Sequence, residues 1–292
     1  MTTGESLNQD AALPGDFTIT DRLQATMGKF GPAERRVARV LISGPPTSGL
    51  ETIHRLAARA QTSPATVLRC VARAGYESFP SFQQAVRREL DARLQSPSAL
   101  YDQRYLGPPN ALISQSSRTL SEAVRGSLNR IAPDEFRRAV EFLSDPKRAV
   151  FAFGGQLSYM LSEQLVMYLG QVRSGVRLMG LSPLDQAVMI VEIKSNDVIV
   201  IFDYRRYEGP TEEIARSVAA KGGRVILFTD RWLSPISGCA DVVIAANVES
   251  MSPFDSYVGP LATLETVVAG VVAELGEAGR IRLEHISNSS IG

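Results

Sequence analysis

Residues Glu51 to Arg73 read ETIHRLAARAQTSPATVLRCVAR, and the order of apolar, capping and basic residues in this stretch predicts two short helices joined by a tight turn. Ile53, Leu56, Ala57 and Ala60 recur at helical spacing and line one side of the first helix. Ser63 signals a fresh start, because its hydroxyl can accept from amides of the next turn and Pro64 suits the first helical position, where no N–H is needed. Ala60, Gln61 and Thr62 supply the turn between them. In the second helix Val67 and Val71 point inward at i, i+4. Thr66, Arg69 and Arg73 fall at i, i+3, i+7 on a separate face, joined at the first turn by Ser63 and Ala65. A helix that enters the major groove of DNA needs short residues near its N-terminus and long cationic ones further along, to reach guanine edges or phosphates. A plain helical hairpin with a solvated arginine face shares this pattern, so the flanks decide.

Upstream, Pro32 to Leu41 predicts a helix with Val37, Val40 and Leu41 inward and Arg35, Arg36 and Arg39 outward. Downstream, Gly75-Tyr76-Glu77-Ser78-Phe79-Pro80-Ser81-Phe82 leads into a helix with Phe82, Val86 and Leu90 on one stripe and Arg87, Arg88 and Arg93 around it. A compact all-helical domain follows. Between Lys29 and Arg93 the chain carries 11 Lys and Arg against 5 Asp and Glu, an excess of six, whereas the whole chain has 31 of each sign and no net charge. Such a chain is not a general nucleic-acid coat, and any affinity for DNA must come from this local patch.

The order Pro32-Ala33-Glu34-Arg35-Arg36-Val37-Ala38, Ile53-His54-Arg55-Leu56-Ala57, Ser63-Pro64-Ala65-Thr66-Val67-Leu68-Arg69 and Gly75-Tyr76 with Phe79 and Phe82 resembles the N-terminal domain of the RpiR/MurR family of bacterial transcriptional regulators. The resemblance runs from about Phe30 to about Leu275. It implies a helix-turn-helix domain followed by a sugar isomerase (SIS) domain that senses a ligand, commonly a phosphorylated sugar. A homodimer, or a tetramer as the resemblance allows, would meet a double-stranded DNA operator of approximately palindromic form, and Arg35, Arg36, Thr62, Ser63, Ala65, Thr66, Arg69 and Arg73 are the expected DNA-contacting residues. One departure sits in the turn. The family often has Gly where this chain has Gln61, and left-handed backbone there costs about 1 kcal/mol more than with Gly.

A length of 292 residues allows two domains. No run approaches the roughly 18 apolar residues that cross a membrane, and the N-terminus lacks a basic-then-apolar signal pattern, so a cytoplasmic location is expected. Residues 1 to about 16 read as a polar tail. Cys70 and Cys239 fall in different domains and His54 and His285 are the only histidines, so neither a disulfide framework nor a metal site is expected, and no cofactor. Ser96 to Asn110, with Pro97, Gly107, Pro108 and Pro109, breaks regular structure and marks a linker. The expected division is a helix-turn-helix domain over 17–95, a linker and connecting helix over 96–132, and a SIS-like domain over 133–280.

Beyond two helical segments, Leu112 to Arg130 and Pro133 to Leu143, strands and helices alternate. Strands are predicted at Ala149–Phe153, Val176–Met179, Val198–Phe202, Arg224–Phe228 and Val242–Ala245, with helices at Leu157–Leu169, Leu184–Ile193, Thr211–Ala220 and Leu261–Leu275. Continuous apolar strands separated by helices imply a doubly wound α/β fold with a parallel sheet in flavodoxin-like order. Ligands of such sheets bind beyond the C-terminal ends of the strands. Two loops lie there. Gly154, Gly155, Gln156 and Ser158 follow the first strand, where small residues let amides approach an anion. Asp203, Tyr204, Arg205, Arg206, Tyr207 and Thr211 follow the third. Phosphosugar-binding SIS domains usually carry a run of Ser and Thr around a Ser-Gly pair at this second place, and only Gly209 and Thr211 match it. Two guanidiniums between two tyrosines suit a planar carboxylate or phosphate instead, unless Asp203 pairs with Arg205 or Arg206 and the loop is structural.

The leading reading is a DNA-binding regulator, not an enzyme, whose SIS-like domain dimerises and senses a small anionic metabolite. Two rivals remain open. A sugar-phosphate isomerase or lyase would need a base, and Glu163, Glu212, Glu213 and Glu265 are the carboxylates available on predicted helices, with His285 in a polar tail. The SIS-like domain could also serve as a ligand-free dimerisation platform.

Overall fold

The computed structural model describes residues 18–43, 46–94, 100–101 and 108–289. The polar tail and most of the Ser96–Asn110 linker fall outside them. The chain divides into two compact units, Met1–Arg93 and Leu94–Gly292.

In the first unit, α1 (Ile19–Thr26), α2 (Pro32–Ser43), α3 (Ile53–Arg59), α4 (Pro64–Arg73) and α5 (Phe79–Leu94) enclose one apolar core. Thr18 and Asp21 form a reciprocal capping box on α1, a start that hydrophobic periodicity did not mark. Thr52 caps α3 and Ser63 caps α4, each accepting from the amide three residues on. Leu23, Phe30, Val37, Leu56, Val67, Val71 and Phe82 are fully enclosed, each such side chain contributing about 1.5–3 kcal/mol of burial. The α3–α4 connection is a Schellman turn. Thr62 N–H donates to Ala57 O at 2.9 Å and Gln61 N–H to Ala58 O at 3.0 Å, with Gln61 in left-handed backbone at φ 47. The same pair of bonds closes α4, where Gly75 takes the left-handed position at φ 90.

The second unit begins with α6 (Pro109–Arg130) and α7 (Pro133–Ser144). Then come β1 (Val150–Gly154), α8 (Tyr159–Val172), β2 (Val176–Leu178), α9 (Pro183–Glu192), β3 (Val198–Asp203), α10 (Gly209–Ala220), β4 (Arg224–Asp230), β5 (Val242–Ala246) and α11 (Val258–Ser289). The strands form a parallel sheet in the order β2-β1-β3-β4-β5, the flavodoxin-like arrangement. Every residue of β1 and β3 is buried, because helices cover both faces. On one side α6, α7 and α8 gather around α11; on the other α10 lies against β3 and β4 and meets α9.

Helix α11 exceeds its predicted extent at both ends and bends at Gly276 (φ 50, ψ −124). It is the one described helix long and apolar enough to cross a membrane, contrary to the sequence expectation that none approaches that test. Leu264, Val267 and Val271 are buried within the unit, as in the core helix of a globular domain. His285, expected in a polar tail, stands in the last turns of this helix.

Candidate functional site

Two places bring together the residues singled out in the sequence. The first is the outward face of α4, where Ser63, Ala65, Leu68, Arg69, Ala72 and Arg73 are exposed. Thr66 is not among them. It is 4 % exposed, because its hydroxyl turns inward to meet Ser63 Oγ at 3.0 Å and to accept from Arg69 Nη2 at 3.0 Å. Thr66 therefore holds a neighbour instead of facing a partner, which corrects its assignment as a contact residue. Arg35 is exposed. Arg36, although exposed, spends its guanidinium on the α3–α4 turn, donating from Nε to Ala60 O and from Nη2 to Gln61 O, both at 3.1 Å. Thr62 is half-buried in that turn.

Arg73 is similarly engaged, donating from Nη1 to Lys29 O and to Glu34 Oε2, each at 2.9 Å. Glu34 is a buried carboxylate that the sequence reading passed over. It accepts from Gly31 N–H at 2.8 Å, closing the start of α2, and its Oε1 lies 3.7 Å from Arg69 Nε. The spacing of Gly31-Pro32-Ala33-Glu34, a glutamate three residues after the cap, was the available signal. Burial and the Glu34 charge push the Cys70 thiol up to about 12, so this cysteine is an inert core residue. Leu68, at 45 % exposed, is an apolar group off the inward stripe, also missed.

The second place is the crevice beyond β1 and β3, where the strand order reverses. Close approach of backbone demands glycine at 154, and at 155 the neighbour is a flexible side chain. A Cβ on Gly154 would stand 2.8 Å from Ser158 O, and one on Gly155 2.9 Å from Glu208 Oε1. Ser158 is buried and donates its hydroxyl to Phe202 O at 2.7 Å, tying the β1 loop to β3. Gln156 is exposed. Thr211, in the first turn of α10, is 1 % exposed with an Oγ1 that meets no hydrogen-bond partner. Glu208 precedes that helix, and its carboxylate rests over Gly155 without capping α10.

The rest of the β3 loop turns toward β4. Asp203 neither pairs with Arg205 nor with Arg206; it accepts from the Ser234 hydroxyl. Burial raises its carboxyl to about 7, against the Ser234 hydrogen bond and helped by Asp230 and Glu208. Asp230, fully buried, accepts from Arg205 N–H at 2.7 Å, Tyr207 Oη at 2.6 Å and Trp232 N–H at 2.9 Å. The Arg205 guanidinium lies 4.6 Å from the Trp232 ring centre and 3.3 Å from Asp255, so it is not offered to a ligand beside Gly155. That corrects the picture of two free guanidiniums. Arg206 is exposed in left-handed backbone, φ 64. Tyr204 is buried beside Tyr257, and burial holds its phenol well above the usual range.

The carboxylates considered for catalysis stay on solvated helix faces. Glu163, Glu213 and Glu265 are exposed and Glu212 pairs with Arg216. Among the described residues no group of three His, Cys, Asp or Glu could hold a metal.

Residues 142–270 match the SIS domain family profile. The HTH-type transcriptional regulator HexR of Pseudomonas aeruginosa is 22 % identical over 282 residues, spanning 94 % of this chain and 95 % of that one. Among solved structures, the sugar isomerase domain of an RpiR transcription factor from Sphaerobacter thermophilus aligns with a TM-score of 0.57 at 19 % identity, covering 61 % of this chain and 98 % of that domain. The Vibrio vulnificus NanR protein complexed with ManNAc-6P aligns at 0.54 and 17 %, over 94 % of this chain and 98 % of its own. At these identities the structural likenesses establish the fold. Residues 142–270 match the SIS domain family, and nearly the whole chain is similar to an HTH-type transcriptional regulator.

Proposed function

We propose that the protein is a sequence-specific, DNA-binding transcriptional regulator whose SIS domain senses a small anionic metabolite, a sugar phosphate or a carboxylate. The observation that carries the first half is the outward face of α4. Small residues stand at its start, Leu68 and Arg69 in the middle, in a unit with six surplus positive charges between Lys29 and Arg93. Arg69 is the base reader of this reading, and Leu68 supplies an apolar contact of the kind a thymine methyl accepts. The functional division is a DNA-binding domain over 17–95, a connection over 96–132 and a sensing and dimerising domain over 133–280.

A homodimer would set two copies of α4 on two half-sites of a palindromic operator. In support, α9 has no buried residue and exposes Leu184, Val188 and Val191. Ligand binding then biases the placement of the DNA-binding domains and changes operator affinity by linkage. The orphan Thr211 hydroxyl, in the first turn of a helix that opens at the crevice, supports the sensing half.

Selection of bound sequences from a random DNA pool, with the purified protein and its Arg69→Ala variant, tests the reading. An enriched two-fold motif that the variant no longer selects is expected. Binding without sequence preference, vanishing with salt, would overturn it. A second reading, a SIS domain that only dimerises, draws on Glu208, whose carboxylate occupies the space over Gly155. A thermal-shift panel of phosphorylated sugars and sugar acids separates the two, since a ligand at 100 times its Kd adds about 2.7 kcal/mol of stability.

A further inference from the structure

Arg69, in the middle of α4, is a long cation that is both exposed and held. Its side chain is 60 % exposed, yet Nη2 donates to Thr66 Oγ1 at 3.0 Å and Nε faces Glu34 Oε1 at 3.7 Å. Both holding groups are buried. Each is itself fixed. Thr66 Oγ1 meets Ser63 Oγ at 3.0 Å, and Ser63 Oγ accepts from Thr66 N–H at 3.3 Å as the cap of α4. Glu34 is locked by Gly31 N–H and by Arg73, which Lys29 O also holds, and Cys70 Sγ approaches Glu34 O at 3.6 Å. A cap, a turn and two helices thus converge on one guanidinium.

We infer that Glu34 and Thr66 are positioning residues that aim Arg69 at a base edge, and that Arg73, whose Nη1 is held by Glu34 and Lys29, is part of this brace. The inference rests on the DNA-binding reading above. A guanidinium reads guanine through two parallel N–H bonds to O6 and N7, and such a fork discriminates only if its plane is fixed before contact. An unbraced arginine keeps many rotamers and must lose that freedom on binding. Here one edge of Nη2 is bonded to Thr66 and Nε faces Glu34 at ion-pair distance, which leaves Nη1 and the far edge of Nη2 as the presented fork. The negative charge of Glu34 also weakens the bare attraction of Arg69 and Arg73 for phosphates. The brace therefore trades non-specific affinity for sequence discrimination.

The experiment measures affinity for a selected operator and for unrelated duplex of equal length, across a salt series, with the full chain. The variants are Thr66→Val, Thr66→Ser, Glu34→Gln and Arg69→Ala. Thr66→Val keeps the shape and removes the hydroxyl; Glu34→Gln keeps the shape and removes the charge. Each is expected to lower the ratio of operator to unrelated affinity by roughly three- to tenfold, Thr66→Ser to restore it, and Glu34→Gln to strengthen binding to unrelated duplex. In the Arg69→Ala background neither substitution should change the ratio further. Unchanged ratios in Thr66→Val and Glu34→Gln, with the ratio lost in Arg69→Ala, would overturn the brace while leaving the regulator reading intact. A wild-type chain that prefers no sequence would overturn both. Should Glu34→Gln fail to fold, Thr66→Val and its serine rescue decide alone.

Discussion

Arg36 and Gln61 are joined by a 3.1 Å hydrogen bond from Nη2 to the carbonyl oxygen of the residue whose left-handed backbone turns α3 into α4. A non-glycine residue at φ 47 is strained, and Arg36 offsets part of that strain by satisfying the carbonyls of Ala60 and Gln61. Gln61→Gly should stabilise the helix-turn-helix unit by about 1 kcal/mol, and Arg36→Ala should destabilise it by about 1 kcal/mol. Hydrogen-exchange protection of the α3 and α4 amides in the full chain reads both changes. Equal protection in all three proteins would show that the turn carries no strain.

The carboxylate of Glu208 competes with any anion brought to Gly155. Glu208→Gln should therefore tighten the binding of inorganic phosphate or a phosphorylated sugar by about tenfold, the scale of one removed like-charge contact. Calorimetric titration measures it. An unaltered affinity would mean that the anionic group of the ligand sits away from Gly155.

Gly154 and Gly155 should differ when each becomes alanine. At Gly154 the new methyl meets the backbone of Ser158 and Tyr159, which cannot yield without opening the β1 loop, so a loss of about 1–3 kcal/mol follows. At Gly155 it meets only the end of the Glu208 side chain, which can swing away, and stability should hold within about 0.5 kcal/mol. Thermal denaturation of the two variants settles the contrast.

Asp203 makes a pH dependence. Its folded carboxyl keeps a proton up to about 7, whereas an aspartate in the unfolded chain loses it near about 3.9. Between those values the folded state binds the extra proton, so this group's stabilisation is complete below about pH 4 and is lost as pH rises to about 7. Asp203→Asn should remove that fall. The drop in Tm from pH 5 to pH 8 is expected to be smaller in the variant than in the wild type; equal drops would place the titration elsewhere.

Much of this fold is legible in residue periodicity. Val67 and Val71, the Ser63-Pro64 cap and the unbroken apolar run Val198–Phe202 dictate their elements because burial on one face or on two leaves a period in the sequence. The ends of α11 were not legible, since Gly276 interrupts the pattern and a bend can continue a helix that periodicity would stop. At the strand ends the sequence located the loops but not their pairings. Asp203 takes Ser234 and Arg205 takes Asp255, partners 31 and 50 positions away that only the side-by-side pairing of β3, β4 and β5 brings near. Thr66 was misplaced for a smaller reason. Its position on the helix borders the inward face, and a threonine there turns its hydroxyl to the nearest polar partner, Ser63.

Trp232 is the sole tryptophan of the chain, and the guanidiniums of Arg205 and Arg231 lie 4.6 and 4.7 Å from its ring centre. The β3 loop and the end of β4 are thereby wired to a single native chromophore. Any metabolite that displaces the β3 loop, and Arg205 with it, alters the emission colour or intensity of one identified indole, so that displacement can be followed in a fluorimeter without a label.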